Sequence, residues 1–163
     1  MRSLLVGDRA LAYRQEATAV TSNQIFGPFL AMMLLTGIVW VVLYTRRLSY
    51  IFSQRIESQQ LTTPEKGAAL IPEEVNWPSY NFRNLFELPV LFYVLCLYLF
   101  VTGSVDTLFI TCAWAYVALR AAHSLIHCTS NIVKRRFIAY MLSSIVLWFM
   151  FIRAAWQYLG TIN

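Results

Sequence analysis

Long apolar segments alternate with shorter polar ones along most of the chain. Each apolar segment carries at most one Asp, Glu, Lys or Arg, and the segments lie at about 25–44, 84–103, 107–127 and 137–159. A helix needs about 20 predominantly apolar residues to cross the hydrocarbon core of a bilayer. The pattern therefore predicts an all-α integral membrane protein, built as a four-helix bundle in a single domain over residues 1–163.

The connections between the spans differ in length and composition. Residues 62–80 hold several helix breakers, namely Pro64, Gly67, Pro72 and Pro78, and predict one long loop. Apolar residues at helical spacing over 48–61 predict that the first helix continues past the membrane toward this loop. A Gly, Ser and Asp within 103–106 predict a tight turn between the second and third spans.

Composition and charge support membrane insertion and indicate its direction. The chain is 58% hydrophobic and 13% charged, with a mean hydropathy of +0.55, whereas about a quarter of the residues of a soluble domain are charged. The net charge of +5 does not predict nucleic-acid binding, because the basic residues sit mainly at the ends of apolar segments. The first-to-second and third-to-fourth connections carry most of them: Arg46, Arg47, Arg55, Lys66, Arg83, Lys134, Arg135 and Arg136. The positive-inside rule therefore predicts that both connections are cytoplasmic and both termini are outside, although Arg2, Arg9 and Arg14 count against it.

Candidate chemistry lies on one face of the third span. Arg120, His123 and His127 are spaced i, i+3 and i+7, so a helix stacks them on one side. A buried Arg needs a partner, because an unpaired charge in an apolar medium is costly. Glu87, in the second span, is the candidate, and we expect its carboxylate within hydrogen-bonding reach of Arg120 in the same subunit or across a subunit interface. A purely structural ion pair is the alternative interpretation.

Two further patterns surround this face. Asn84 and Glu87 are spaced i, i+3 and share a face at the start of the second span. The basic run 134–136 is typical of a topology anchor, and it would equally suit a polyanionic ligand. His123 and His127 could ligate a metal, but the chain offers no third spaced ligand, so we predict no metal site. Three cysteines without paired spacing do not predict a disulfide framework.

Taken in order, these motifs resemble those of the MAPEG family, the membrane-associated proteins in eicosanoid and glutathione metabolism. The resemblance rests on NFRNLFELPVLFY at 81–93, ALRAAHSLIH at 118–127 and KRRFIAY at 134–140. It implies a homotrimer of four-helix bundles, with glutathione as the cofactor between neighbouring subunits near the cytoplasmic side. We interpret the chain as a bacterial-type member of the family, and a bacterial member implies the inner or cell membrane.

The resemblance also implies roles for individual residues. Asn84 and Glu87 match the family's Asn and Glu that hold the peptide part of glutathione, and Arg120 and His123 match its R-x-x-H motif. Arg136 matches an Arg that stabilises the thiolate and is the implied catalytic residue. Three positions are less regular. Arg83 matches a basic residue of some members and would face the glutathione carboxylates. His127 stands where a Tyr is usual and would take its place as a donor to glutathione, and Tyr80 stands where an Arg is common.

Two functions follow as hypotheses. In the first, the chain is a glutathione-dependent transferase or peroxidase acting on a lipophilic small molecule dissolved in the bilayer. In the second, it is a non-catalytic membrane protein of the same fold that binds lipid or another membrane protein. Both predict contacts with membrane lipid and with further copies of the chain, and neither predicts a nucleic-acid partner.

Overall fold

The computed structural model describes residues 22–162, and within that range the chain is helical with no strand. The α-helices are, in order, α1 Phe26–Ser53, α2 Pro64–Leu70, α3 Glu73–Asn84, α4 Leu88–Val101, α5 Thr107–Cys128 and α6 Val133–Ile162, with one 3-10 turn at Ser58–Leu61. The single-domain prediction over residues 1–163 extends beyond the described residues at both ends and stays a prediction, and Arg2, Arg9 and Arg14 also lie outside them.

Four helical segments are long and apolar enough to cross a membrane: Phe26–Ser53, Glu73–Val101, Thr107–Cys128 and Val133–Gly160. The four-span prediction is confirmed, and the chain is a multi-pass integral membrane protein. The second span consists of α3 and α4, which are interrupted at 85–87. Successive spans run antiparallel, so the α1–α3 and α5–α6 connections share one end of the bundle, which we call the basic end.

The predicted loop at 62–80 is wrong, and so is the predicted start of the second span at residue 84. These residues instead form α2 and most of α3. Pro64 occupies the first turn of α2 and Pro72 caps α3, positions where the N–H that proline lacks would have no helical partner anyway. Only Pro78 stands inside a helix, where it is fully buried. The first helix does extend past the membrane, but it ends at Ser53 rather than near residue 61.

Helix α5 packs against α1, α3 and α6 and supplies much of the apolar core. The Tyr116 ring on this helix stacks on Phe92 of α4 with centroids 4.5 Å apart. Met32 of α1 and Met150 of α6 are also fully buried. The face of α5 that packs inward is the one that carries Arg120, His123 and His127, so the fold takes these polar side chains into the bundle.

The opposite end of the bundle is fastened by Asp106 and Arg153. Asp106 caps α5, because its carboxylate accepts a 3.0 Å hydrogen bond from the Phe109 backbone N–H. Two Arg153 nitrogens donate to the same carboxylate at 2.5 and 3.2 Å, and the guanidinium carbon lies 4.2 Å from the centre of the Phe109 ring. Within residues 22–162 this is the only ion pair, and it ties the start of α5 to the far half of α6.

Candidate functional site

A polar pocket opens at the basic end, where α3, α5 and α6 meet. Its volume is about 340 Å³, within the range of small-molecule sites. The side chains that line it are Glu73, Tyr80, Arg83, Asn84, Glu87, His127, Asn131 and Arg136. Five residues singled out from the sequence therefore come together in this pocket: Arg83, Asn84, Glu87, His127 and Arg136. The eight lining residues together form the polar pocket.

The interruption of the second span shapes one wall of the pocket. Helix α3 ends at Asn84 and α4 starts at Leu88, with Glu87 as its N-cap residue. Pro89 in the first turn of α4 has no N–H to continue the helical ladder across the break. The Asn81, Phe82 and Arg83 carbonyls accept from the backbone N–H groups of Leu85 and Phe86, but the Asn84 carbonyl has no backbone donor among the described residues. Arg83, Asn84 and Glu87 all line the pocket.

Arg120 does not line the polar pocket but supports it from inside the bundle. Its side chain is 0% exposed, and Nη2 donates a 2.7 Å hydrogen bond to the carbonyl oxygen of Asn84. Within one chain it forms no ion pair with Glu87, so the same-subunit form of the expected contact is wrong. The physical reason is the helix break, which offers Arg120 a free backbone acceptor closer than the exposed Glu87 carboxylate. The contact across subunits stays a prediction.

The guanidinium of Arg120 is only partly satisfied. Among the described residues, Nε and Nη1 have no hydrogen-bond partner. The Tyr140 ring lies 5.3 Å from the guanidinium carbon and supplies a cation–π contact. Since an arginine in a membrane protein is charged and expensive to bury unpaired, this side chain has capacity for an additional anionic or polar partner.

The two histidines have different roles in the geometry. His123 Nδ1 lies 2.9 Å from the Arg136 carbonyl oxygen, which can only accept, so this nitrogen is the donor. His123 therefore holds the backbone of α6 beside the pocket without lining it. His127 lines the pocket directly, and its ring meets the His123 ring edge-on with centroids 5.4 Å apart.

Arg136 is positioned by the turn between α5 and α6. Asn131 adopts a φ of +47°, in the left-handed region that Asn tolerates better than most residues. Its backbone N–H closes the end of α5 on the Ile126 carbonyl at 2.8 Å. Its side-chain oxygen accepts a 2.5 Å hydrogen bond from Arg136 Nη1. The turn thus directs the Arg136 side chain, and the predicted basic run 134–136 lies in the first turn of α6 rather than before it.

A buried polar cluster locks the helices behind the pocket. Asn81 is 0% exposed, donates to Cys128 Sγ at 3.5 Å and accepts from Ser124 Oγ at 3.4 Å. Arg46 of α1 donates to the Cys128 carbonyl at 2.5 Å. These bonds fix α3 and α1 against the end of α5, and so fix the spacing of the pocket walls.

Sequence reasoning missed three pocket residues as contributors. The sequence places Glu73 in a predicted loop, and Tyr80 stands out there only as a departure from a family pattern. Asn131 carried a usable signal, because an Asn between a helix end and the next helix often takes the left-handed conformation. For Glu73 and Tyr80 the sequence holds no comparable signal, because their place in the pocket depends on α3 being helical.

The polar pocket combines charges of both signs. Arg83 and Arg136 can bind carboxylates, Glu73 and Glu87 can bind an ammonium group, and Asn84 and Tyr80 can exchange hydrogen bonds with amides. Such a set suits a small, polar molecule that is itself zwitterionic. No group of three or more His, Cys, Asp or Glu side chains suited to a metal ion occurs in the part of the chain that the structure describes.

Comparison with known proteins adds one finding. The family model described as the MAPEG family matches residues 25–156, which is most of the chain. No curated protein and no solved structure matches it. The matched range includes the first three spans, most of the fourth and every residue of the polar pocket.

Proposed function

This chain belongs to the MAPEG family, and from that premise we propose that it is a membrane-bound glutathione-dependent transferase or peroxidase acting on lipophilic electrophiles. The polar pocket carries the proposal. It holds cations, carboxylates and amide-binding groups within about 340 Å³ at one end of a membrane bundle. The electrophile reaches this pocket from the bilayer, where a lipophilic molecule concentrates.

The residues present fit glutathione in chemical type. Glutathione has two carboxylates, an ammonium group, two amides and a thiol. Arg83 and Arg136 would hold the carboxylate-bearing part, Glu73 and Glu87 the ammonium group, and Asn84 the peptide. When bound, glutathione supplies a thiol that becomes nucleophilic as the thiolate.

Arg136 is the residue that would stabilise that thiolate. Asn131 occupies only one of its five N–H groups, so the guanidinium retains donors for a second partner. A cation beside a sulfur atom lowers the pKa of the thiol and raises the reactive fraction. Since Asn131 fixes the direction of the side chain, the charge is placed before the ligand arrives.

The proposal includes a homotrimer in which the pocket is completed between subunits. Arg120 supports this, since it is buried, holds a single hydrogen bond to Asn84 and has no carboxylate partner among residues 22–162. A Glu87 carboxylate from a neighbouring copy is the proposed partner, because Glu87 is exposed at the surface of the single bundle. Since Arg120 is 0% exposed there, the contact requires the side chains that cover Arg120 to move on assembly. We place the basic end in the cytoplasm, following the distribution of Lys and Arg.

The first test is a calorimetric titration of glutathione into the purified protein in detergent. We expect saturable heat and a rise in the thermal unfolding midpoint, since a ligand that binds only the folded state stabilises it.

The second test is the conjugation rate of a variant. Arg136→Ala should lower conjugation of chlorodinitrobenzene by about 10²–10³-fold, the typical cost of losing one transition-state donor. Arg135→Ala is the matched control, because Arg135 is exposed, belongs to the same basic run and lies outside the pocket.

A second candidate function is non-catalytic binding of a lipid. It is favoured by an apolar groove of about 490 Å³ between α4 and α6, lined by side chains such as Leu91, Val94, Leu147 and Phe151. This groove lies within the spans, where acyl chains are the surrounding solvent. Absence of heat and of a thermal shift at millimolar glutathione, together with a lipid that stays bound through purification, would favour this function over the first.

A further inference from the structure

His127 has no role in the bonding of the fold, although it is nearly completely buried. The side chain is 3% exposed, and it lines the polar pocket. Across residues 22–162, neither Nδ1 nor Nε2 has a hydrogen-bond partner. Buried polar side-chain atoms are paired in the large majority of cases, so an imidazole with both nitrogens free inside a pocket is suited to a ligand rather than to the scaffold.

The two histidines can be distinguished by this criterion. His123 is committed to the α6 backbone through Nδ1. Neither ring nitrogen of His127 has a hydrogen-bond partner among the described residues. A neutral imidazole always has one nitrogen that can accept a proton. Imidazole is also the side chain whose unperturbed pKa lies nearest neutral pH, which suits it to proton transfer.

Titratable and charged groups of both signs surround His127. The titratable and charged groups that face the pocket or contact this part of α5 come from α1, α3, the α3–α4 break, α5 itself and α6: Arg46, Glu73, Tyr80, Arg83, Glu87, Arg120, His123, Arg136 and Tyr140. Glu73 and Glu87 are the carboxylates among them and line the same pocket, whereas the cations Arg120 and Arg136 oppose a further positive charge on the ring. The thiolate formed in the same step would supply the negative charge that offsets an imidazolium. Arg136 is a cation in the same pocket and can balance a thiolate.

Resting on the proposed function, we propose that His127 is the proton acceptor of the site, taking the proton of the glutathione thiol while Arg136 stabilises the sulfur anion. The S–H bond breaks, its electron pair stays on sulfur, and a new N–H bond forms on the His127 ring. No oxidant or further reactant is needed. Proton removal and charge stabilisation are thus assigned to different residues on adjacent helices.

The proposal predicts where the proton goes, which can be measured without any turnover. Glutathione is titrated into the full-length protein in buffers of different ionisation heat, and the thiolate is followed by its ultraviolet absorbance. If His127 retains the proton, the thiolate forms in the wild-type protein with no net proton released to the buffer. Release of a full proton for each thiolate formed would overturn the proposal. S-methylglutathione, which has no thiol proton, provides the baseline.

His127→Gln provides the second arm, since glutamine retains hydrogen-bonding groups but is not a base. We expect this variant to bind glutathione without forming the thiolate at neutral pH, and to lose about 10²–10⁴-fold in conjugation rate, the usual contribution of general-base catalysis. Thr129→Ala, an exposed position two residues further along the chain, is the matched control and should behave as wild type. An unchanged thiolate fraction and rate in His127→Gln would overturn the assignment.

The outcomes separate this inference from the proposed function. Wild-type protein that does not bind glutathione overturns both. Wild-type protein that binds and conjugates glutathione, but releases the thiol proton to the buffer, leaves the proposed function standing and removes the role of His127. If His127→Gln does not fold, the proton count of the wild-type protein still decides.

Discussion

Arg120 Nη2 donates a 2.7 Å hydrogen bond to the Asn84 carbonyl oxygen, joining the middle of α5 to the break in the second span. The bond uses one donor of a fully buried guanidinium and one carbonyl that the helix break has left free. It supports the backbone that carries Arg83, Asn84 and Glu87. The Nε and Nη1 donors of Arg120 have no partner among the described residues, and the proposed partner for them is a carboxylate from another copy of the chain.

The first prediction concerns that carboxylate. Arg120→Leu and Glu87→Gln should each destabilise the assembly, for Arg120 on the order of 3–5 kcal/mol, because breaking a buried pair leaves a charge or an acceptor unpaired. The double variant should be less destabilised than the sum of the single ones. Thermal unfolding in detergent, with the oligomer followed by size-exclusion chromatography, measures both quantities.

Additive effects would show that Arg120 and Glu87 do not meet, in one chain or between chains. Arg135→Leu is the matched control, since Arg135 is exposed and forms part of no described bond. It should leave the unfolding midpoint unchanged. A stable Arg120→Leu variant would mean that the bond to Asn84 contributes little to the fold.

The sequence predicted the spans and the face of α5 because both depend on local periodicity. Arg120, His123 and His127 are brought to one side by helix geometry alone, and the apolar run around them requires burial. The Arg120–Asn84 bond could not be predicted in this way. Every residue has a backbone carbonyl, so the residue types do not mark which carbonyl will accept a side-chain bond. Only the helix break after Asn84 leaves the Asn84 carbonyl free for Arg120.

The prolines within 62–80 predict a loop that the structure does not contain, for a related reason. Pro64 and Pro72 predict interruptions of helical structure, yet proline is compatible with the first turn of a helix or the residue before it. The position of each proline relative to a helix start depends on where α2 and α3 begin. That start is set by packing of α3 on α1 and α5, which periodicity over so short a segment does not reveal.

The second prediction concerns the pH dependence of the Asp106–Arg153 pair. Partial burial opposes ionisation of Asp106, but hydrogen bonds from Arg153 and from the Phe109 backbone outweigh it and hold the pKa of this carboxyl below its ordinary value of 3.8. The pair therefore stabilises the folded state fully above the ordinary pKa, and this stabilisation is lost as the pH falls through the lower pKa of the folded protein. Because the Asp106 side chain is 42% exposed, solvent screening limits the effect to about 1 kcal/mol.

Asp106→Asn isolates this contribution, since asparagine still caps a helix but carries no charge. The difference in unfolding midpoint between wild type and Asp106→Asn should be largest near neutral pH and should shrink below about pH 4. A difference that does not vary with pH would contradict the charge-based account. Asp106→Ala, which also removes the cap, should cost about 1 kcal/mol more at every pH.

The third prediction separates the two roles of Asn131. Asn131→Gly keeps the left-handed backbone and removes the side-chain acceptor of Arg136. Asn131→Ala removes the acceptor and keeps a Cβ in the left-handed region, which costs about 1–2 kcal/mol for most residues, without the short polar side chain that lets Asn tolerate it. Both variants should weaken glutathione binding to the same degree, whereas only Asn131→Ala should lower the unfolding midpoint strongly. Equal affinity of wild type and Asn131→Gly for glutathione would show that Arg136 needs no support from this turn.

The last prediction concerns Asn81, the centre of the buried cluster behind the pocket. Asn81→Ala removes the partner of the Ser124 hydroxyl and leaves a void, which should cost about 1–3 kcal/mol. Asn81→Asp fills the same space but buries a carboxylate at a position that is 0% exposed. We expect it to be the more destabilising of the two at neutral pH, and to recover stability as the pH falls and the carboxyl is protonated, because burial favours its neutral form.

Asn76→Ala is the matched control, since Asn76 is half-buried and its side chain donates only a 3.4 Å bond to the Ile71 carbonyl. Thermal unfolding of the three variants across pH gives the order. If Asn81→Asp were as stable as wild type at neutral pH, a cation would have to reach this cluster, and Arg46, bonded to Cys128 beside it, would be the residue to substitute next.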